Sequence, residues 1–352
     1  LVDGVRAAGG IWTAADLADY RVVERAPLRV RHRGHWLVTA PPPSSGGVAL
    51  ATMLKVLEGY DYPRLGKAER SHLFIEAMRR AYRDRALYLG DPDFVQAPVD
   101  MLVSDAYAAG LRASIHPARA TPSDLLPGVD AQPLRPDTSH FSVIDTEGNL
   151  VAVTQTVNLP YGNALMVPGT GFLLNNEMDD FSIKAGTPNA FGLVGDDANA
   201  IAPGRRPLSS MTPSFLVGPD RVAVIGTPGG SRIITMVLIG LLGLFNLDAY
   251  VSAHDQMMDR ARNDAVRQTE ALARLVQDNP GTGSRAATRR PPHHPPHVQQ
   301  PHEVSHGQRC FPVFFLPLHR DARHARLAVA GVGVVRAGGV SVCHWAGLAA
   351  GA

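Results

Sequence analysis

The stretch that decides the fold is DTSHFSVIDTEGNLVAVTQTV, residues 137–157. Two strand-like runs flank Thr146, Glu147 and Gly148, a pattern typical of a β-hairpin whose three-residue loop ends on a left-handed glycine. Strand pairing symmetric about residue 147 predicts that Thr138 lies opposite Thr156, within hydrogen-bond reach. Threonine is also a good strand residue in general, so the hairpin alone assigns these hydroxyls no function.

The position of Thr138 at the very start of a strand raises a chemical possibility. A threonine there can be a nucleophile whose base is its own main-chain amine, provided that the chain is cut between Asp137 and Thr138. Residues 115–137 are rich in Pro, Asp and Ser and predict an exposed loop, where such a cut would be accessible.

Composition restricts the class of protein. The chain has 352 residues, 45% of them hydrophobic and 19% charged, with a net charge of +2. These values suit a globular protein of about two domains and give no indication of a nucleic-acid partner. The longest apolar run, 236–247, is too short to span a bilayer. The chain opens at Leu1 with no signal peptide, which we interpret as a fragment.

Periodicity and turn residues predict an α+β layered fold. Residues 1–25 read as helices with a capping signal at Thr13–Asp16. The remaining predicted elements are a strand over 28–39, helices over 48–57 and 68–89, a strand over 222–226 and a helix over 232–247.

Three further stretches carry polar groups suited to a binding site. LLNNEMDDFS (173–182) offers acidic groups and amides for an ammonium group or a metal, although an exposed acidic turn is the simpler interpretation. PLSSMTP (207–213) has two adjacent hydroxyls, suited to an anion or to an ordinary turn. PGGSR (228–232) joins a strand to a helix, where main-chain N–H groups can converge on an oxyanion, or merely form a tight turn.

Together and in this order, these stretches resemble the γ-glutamyltransferase family (glutathione hydrolases). The resemblance covers about Leu1 to Leu247, and PPPSSGG (41–47) and YLGDPDF (88–94) are similar to the larger subunit of that family. It implies a proenzyme that cleaves itself into two subunits with an N-terminal-nucleophile αββα sandwich. Residues 1–137 would be the C-terminal part of the large subunit, 138–250 the catalytic small-subunit region, and 251–352 a divergent, disordered tail.

The resemblance also implies roles for individual residues. Thr138 would be the nucleophile for both self-cleavage and catalysis, Thr156 its hydrogen-bond partner, and Gly229 and Gly230 the oxyanion hole. The substrate α-amino group would be held by three residues and its α-carboxylate by two: Asn158, Glu177 and Asp180, then Ser209 and Ser210. The expected partners are glutathione or other γ-glutamyl compounds, with amino acids, peptides or water as acceptors. Neither a metal nor another cofactor is expected.

This sequence departs from the family pattern in three respects. A family segment that lies before the equivalent of Leu1 carries an arginine for the substrate carboxylate and contributes strands, so the sandwich is expected to be incomplete. The lid, 183–199, has Phe191 where several members have a tyrosine that meets the equivalent of Asn158. Export to the periplasm or medium is expected by resemblance, without a signal segment in this chain.

Two other hypotheses remain open. A cephalosporin or glutaryl-amide acylase on the same scaffold would keep the threonine chemistry but bind side chains that lack an α-amino group. An inactive remnant would leave apolar sheet edges exposed. The tail, with RRPPHHPPH at 289–297, reads as low-complexity sequence, as a metal-binding tract or as an out-of-frame translation.

Overall fold

The computed structural model describes residues 1–126, 138–219 and 221–245, two single helical positions at 263 and 267, and the backbone of three strands in the tail. The helices are α1 Val2–Ala7, α2 Ala14–Asp19, α3 Gly46–Glu58, α4 Lys67–Tyr88, α5 Val99–Leu102, α6 Asp105–Ala113 and α7 at 233–245. The strands are β1 Val23–Arg25, β2 Leu28–His32, β3 His35–Thr39, β4 Thr138–Ile144, β5 Leu150–Thr156, β6 Ser214–Val217, β7 Arg221–Ile225, β8 Phe314–Pro317, β9 Leu327–Ala330 and β10 Val342–His344.

The hairpin of β4 and β5 has the register that its sequence predicts. Thr138 pairs with Thr156, and the pairing runs on to Ile144 opposite Leu150. Gly148 has a φ of +83°, the left-handed conformation that the loop requires. Asp145 stabilises the loop because its Oδ1 accepts the main-chain N–H of Asn149 at 2.8 Å. The predicted alignment of the two threonines is confirmed.

Two five-stranded sheets form the centre of the fold. Their orders are β1-β10-β9-β5-β4 and β2-β3-β6-β7-β8. Side chains of β3, β5, β6 and β7 meet in one apolar cluster between the sheets, including Val38, Ala152, Phe215 and Val224. Each sheet therefore buries one face against the other.

Helix α3 packs against β2 and β3 of the second sheet, and α4, α5 and α6 pack against α3. Most of the helices were predicted closely. The prediction of helix over 68–89 corresponds to α4, and the apolar helix α3 is buried along nearly its whole length. The single strand predicted over 28–39 is wrong: it is a tight hairpin of β2 and β3. Arg33 and Gly34 turn the chain there with φ values of +46° and +83°, and a non-glycine residue at such an angle leaves little sequence signal.

The prediction of an α+β fold is confirmed, and the tail contributes to it. Strands β8, β9 and β10 come from the tail and pair with both sheets. The rest of 251–352 lies outside the described residues except for positions 263 and 267, as do the predicted loop residues 127–137. One unit of the fold contains Leu1–Leu241 with the tail strands, and Leu242–Cys310 forms a second. A division at 137/138 stays a prediction. Within the described part of the chain, no helix has the length and apolarity needed to cross a bilayer.

Candidate active site

The side chains at the start of the β4–β5 hairpin form a short chain of hydrogen bonds. The Thr138 hydroxyl donates to Thr156 Oγ1 at 3.4 Å. Thr156 Oγ1 also accepts the main-chain N–H of Asn158 at 2.8 Å. Thr138, half-buried at the first position of its strand, therefore has a hydroxyl partner that is itself oriented by the main chain.

Asn158 connects this hairpin to the acidic stretch. It is only 2% exposed and has a φ of +75°, a left-handed conformation that asparagine tolerates better than most residues. Its Nδ2 donates to the carbonyl of Asn176 at 3.0 Å, and Asn176 Oδ1 accepts the N–H of Leu159 at 3.1 Å. The end of β5 is thus joined to the residue that precedes Glu177.

Glu177 and Asp180 lie in a single 3₁₀ turn, Glu177–Asp180, where each carboxyl affects the ionisation of the other. Burial, followed by the neighbouring carboxyls of Asp180 and Asp179, raises the pKa of Glu177 well above its usual range. Burial also raises the pKa of Asp180 to about 7, although the Arg85 guanidinium opposes that shift. Glu177 Oε1 is buried and finds no hydrogen-bond partner among the described residues. The buried Glu177 carboxyl, with an unused acceptor and the half-buried Asp180 beside it, suits a ligand that brings both positive charge and N–H donors.

The predicted lid packs directly on this acidic turn. Asn189 Nδ2 donates to Asp180 Oδ1 at 3.2 Å, and the N–H of Ala190 donates to Asp179 Oδ2 at 3.1 Å. At the far end of the lid, Asn199 Nδ2 donates to the Asp180 carbonyl at 2.7 Å. The middle of the segment 183–199 and its C-terminal end are therefore fixed against the acidic turn.

The serine pair is held by the turn that precedes α3. Ser209 exchanges main-chain bonds with that turn, its N–H donating to the Pro43 carbonyl and its carbonyl accepting the Ser45 N–H, each at 2.8 Å. The Ser45 hydroxyl adds a second donor to the Ser209 carbonyl at 2.7 Å. Close approach at this point requires the glycine at 46, because a Cβ there would lie 2.0 Å from Thr212 Oγ1. Ser210, 8% exposed, follows in the same fixed segment.

Gly229 and Gly230 form the turn between β7 and α7. Their φ values are +145° and +55°, which few side chains tolerate in succession. The next residue, Ser231, is bound on both sides: its carbonyl accepts the Tyr82 hydroxyl, and its own hydroxyl donates to the Phe191 carbonyl in the lid at 3.4 Å. The glycine turn is thereby fixed relative to both α4 and the lid.

His140, on β4, lies close to the segment that leads into the glycine turn. Its Nδ1 lies 2.8 Å from Thr154 Oγ1 and its Nε2 3.2 Å from Ser142 Oγ. Gly226, three residues before Gly229, faces this ring, since a Cβ at 226 would lie 2.0 Å from its Cε1 atom. Burial lowers the pKa of His140 to about 4, so the imidazole is neutral at neutral pH.

Among the described residues, hydrogen bonds therefore connect some of the predicted site residues to each other but not all of them. Hydrogen bonds join Thr138, Thr156 and Asn158 to the acidic turn. Among the described residues no hydrogen bond connects Thr138 to Gly229, Gly230 or the serine pair. His140, Asn176 and Arg85 were given no role from the sequence, although His140 and Asn176 lie inside the motifs DTSHFS and LLNNEMDDFS. Arg85 lies among several arginines of the same helix, which left it without a distinct signal. The described residues contain no cluster of three or more His, Cys, Asp or Glu side chains that could hold a metal.

Several known proteins are similar to this chain. A glutathione hydrolase proenzyme of Pseudomonas sp. (strain A14) is 48% identical over 274 residues, which cover 75% of this chain and 48% of the relative. The glutathione hydrolase proenzyme of Escherichia coli (strain K12) is 47% identical over 234 residues, covering 65% and 40% respectively. The acylase ACY 1 proenzyme of Pseudomonas sp. (strain SE83) is 39% identical over 251 residues, covering 70% and 42%. The chain thus spans about half the length, or somewhat less, of the curated relatives that it matches.

A solved structure of an acylase is also similar to this chain. The crystal structure of cephalosporin acylase from Bacillus halodurans superposes with a TM-score of 0.51 at 25% identity, covering 66% of this chain and 40% of that one. The sequence model described as Gamma-glutamyltranspeptidase matches residues 1–269, well over half of the chain. On this match, and with its mixed helical and sheet architecture, the chain belongs to the γ-glutamyltranspeptidase family and has an N-terminal-nucleophile hydrolase fold.

Proposed function

We propose that this chain carries the catalytic part of an enzyme that transfers or hydrolyses the γ-glutamyl group of glutathione and related amides. The observation that carries the proposal is the hydrogen-bonded series from Thr138 through Thr156 and Asn158 to the acidic turn. It supports the proposal because it connects a hydroxyl at the start of a strand with an acidic turn in one hydrogen-bonded unit.

Self-cleavage is the first step of the proposed mechanism. The Thr138 hydroxyl attacks the carbonyl of Asp137, an N-to-O acyl shift forms an ester, and water hydrolyses it. The products are a large subunit that ends at Asp137 and a small subunit that begins at Thr138. The new α-amine has a pKa of about 7.7–8.0, so a useful fraction is neutral and can act as a base.

In the catalytic step the Thr138 hydroxyl attacks the γ-carbonyl of the substrate while the α-amine takes its proton. The N–H groups of Gly229 and Gly230 would stabilise the oxyanion of the tetrahedral intermediate. When the tetrahedral intermediate collapses, the leaving amine departs and takes the proton from the α-ammonium. A γ-glutamyl ester then remains on Thr138. Water or an acceptor amine then attacks this ester and restores the free hydroxyl.

Substrate recognition would divide between two ends of the pocket. Asn158, Glu177 and Asp180 would hold the α-ammonium of the γ-glutamyl group, because a buried carboxyl pair is stabilised by a cationic donor. Ser209 and Ser210 would hold the α-carboxylate. The processed protein would be a heterodimer of large and small subunits, and its export remains a prediction from the family.

A second candidate, an acylase that acts on glutaryl or cephalosporin side chains, is favoured by the 39% identity to acylase ACY 1. Such substrates lack the α-ammonium, so they would leave the buried carboxyls unpaired. The retained Glu177 and Asp180 therefore support the γ-glutamyl reading.

One experiment separates these functions from an inactive remnant. The expressed chain is examined for fragments that meet at Asp137/Thr138, with N-terminal sequencing of the smaller one, and assayed with γ-glutamyl and glutaryl p-nitroanilides. Cleavage with release from the γ-glutamyl anilide is the expected result, and release from glutaryl anilide alone would support the acylase. Thr138→Ala should abolish cleavage and release, whereas the matched change Ser139→Ala at the exposed neighbouring position should keep both. An uncut, inactive wild-type chain would overturn the proposal.

A further inference from the structure

Arg85 is a buried cation to which the proposed mechanism assigns no role. It lies near the end of α4 and is only 3% exposed. Burying a guanidinium is costly unless it is paired, and burial lowers the pKa of Arg85 here. The free-energy cost of burying this guanidinium suggests that Arg85 has a compensating contact or a functional role.

On one side Arg85 contacts the turn that holds the serine pair. Its Nε donates to Ser45 Oγ at 3.0 Å, and that hydroxyl in turn donates to the carbonyl of Ser209. No hydrogen-bond partner is found for the two terminal nitrogens of Arg85 within the described residues. A single guanidinium nitrogen thus orients the hydroxyl that fixes the main chain beside Ser210.

On the other side Arg85 faces the acidic turn. The charges of Arg85 and Asp180 stabilise each other, with no direct ion pair within 4 Å between them among the described residues. The adjoining residue of α4, Ala86, accepts the N–H of Asp196 from the lid at 3.2 Å. The lid in turn binds the Asp180 carbonyl through Asn199. The same turn of α4 therefore contacts both the turn that holds the serine pair and the lid that binds the acidic turn.

We propose that Arg85 is a positioning residue that sets the separation of the serine pair from the acidic turn, so that the site accepts the head group of an α-amino acid. The inference rests on the proposed function and deepens it. A zwitterion carries its ammonium and carboxylate a fixed distance apart, so a pocket that grips both must hold its two ends rigidly.

The electrostatic part of the role follows from the charges around Asp180. Asp179 on its own turn opposes its ionisation, Arg85 from α4 and then the Glu177 carboxyl favour it, and the lid contributes the neutral amides of Asn189 and Asn199. Without the cation, Asp180 would lose the largest influence that favours its ionisation and would stay protonated to a higher pH. A protonated Asp180 attracts an ammonium group far less.

Binding of L-glutamate, which carries the same head group, tests the proposal without requiring turnover. Calorimetry as a function of pH is applied to the whole chain and to Arg85→Gln, Arg85→Lys and the control Arg83→Gln. The control removes the same charge from the same helix at a more exposed position. We expect Arg85→Gln to weaken binding about tenfold or more at neutral pH and to raise the pH at which half of the full affinity is reached. Arg85→Lys should keep that midpoint but bind more weakly because the Ser45 contact is lost.

The results that would contradict the role of Arg85 differ from those that would contradict the proposed function. Unchanged affinity and midpoint in Arg85→Gln would overturn the inference, and so would a wild-type chain that does not bind L-glutamate. If Arg85→Gln does not fold, an Arg85→Lys chain with wild-type affinity would overturn it as well. A wild-type chain that binds L-glutamate but releases no γ-glutamyl anilide would refute the proposed function and leave the role of Arg85 standing.

Discussion

Replacing Gly226 by alanine should destabilise the protein by closing the space that His140 fills. Gly226 does not need its glycine for backbone reasons, since its φ lies outside the left-handed range. The added Cβ would instead lie 2.0, 2.2 and 2.5 Å from the Cε1, Nδ1 and Nε2 atoms of the His140 ring. All three distances are far below van der Waals contact.

The cost follows from how firmly the ring is held. The ring Nδ1 forms a hydrogen bond with Thr154, which is only 1% exposed, and the ring Nε2 forms one with Ser142. Overpacking costs about 1–3 kcal/mol, and a displaced ring would lose a hydrogen bond worth about 1 kcal/mol. We therefore expect Gly226→Ala to lower the free energy of unfolding by about 2–4 kcal/mol.

Urea unfolding in a Thr138→Ala background, which should keep every sample a single chain, measures this cost. In a His140→Ala background the same Gly226→Ala change should cost about 1 kcal/mol or less, since the obstacle is gone. Gly110→Ala is the matched control: it lies in α6 with nothing within 4 Å of its Cβ and should stabilise the helix by about 0.5–1 kcal/mol. If Gly226→Ala is neutral, or equally costly with and without the imidazole, the steric argument is refuted.

Three further predictions concern charge and hydrogen bonding. Because burial raises the pKa of Asp180 to about 7, KM for a γ-glutamyl anilide should rise as the pH falls through about 7, by up to about tenfold per unit, and Asp180→Asn should flatten that profile. Thr156→Val removes the hydroxyl beside Thr138 and should lower kcat about 10- to 100-fold, with an unfolding midpoint near that of the wild type. Glu76 is buried, which by itself raises its pKa, but hydrogen bonds from Thr121 lower it to about 2. Glu76→Gln should therefore cost about 3–5 kcal/mol in urea unfolding above about pH 4.5, and the deficit should shrink as the pH falls towards 2.

Local sequence signals predicted the hairpin and the long helices. The register of β4 and β5 followed from loop length and a single glycine, because pairing in a hairpin is fixed by its turn. The end points of α4 followed from the apolar spacing along 68–89 and from the prolines that come after it. These features depend only on neighbours in the chain.

Features that depend on distant residues were not predictable in this way. The break between β2 and β3 lies at Arg33, whose positive φ has no compositional signature. The contact of Arg85 with Ser45 spans 40 residues, and that of Gly226 with His140 spans 86. The identities of the candidate site residues came from family motifs, whereas the carboxyl pair of Glu177 and Asp180 acquires its perturbed protonation only through burial in the folded chain.

The second sheet has a consequence for assembly. Strand β3 precedes the proposed cut and pairs with the whole length of β6, which follows it, from Trp36–Val217 to Thr39–Ser214. While the chain is intact, these strands meet at the effective concentration of a tethered pair. Once the chain is cut, the same ladder becomes a subunit interface, and its recovery from denaturant becomes a bimolecular reaction. The refolding yield of the processed form should then depend on protein concentration, whereas that of the intact chain should not. Processing would therefore convert a fold that forms reversibly into one that is kinetically stable.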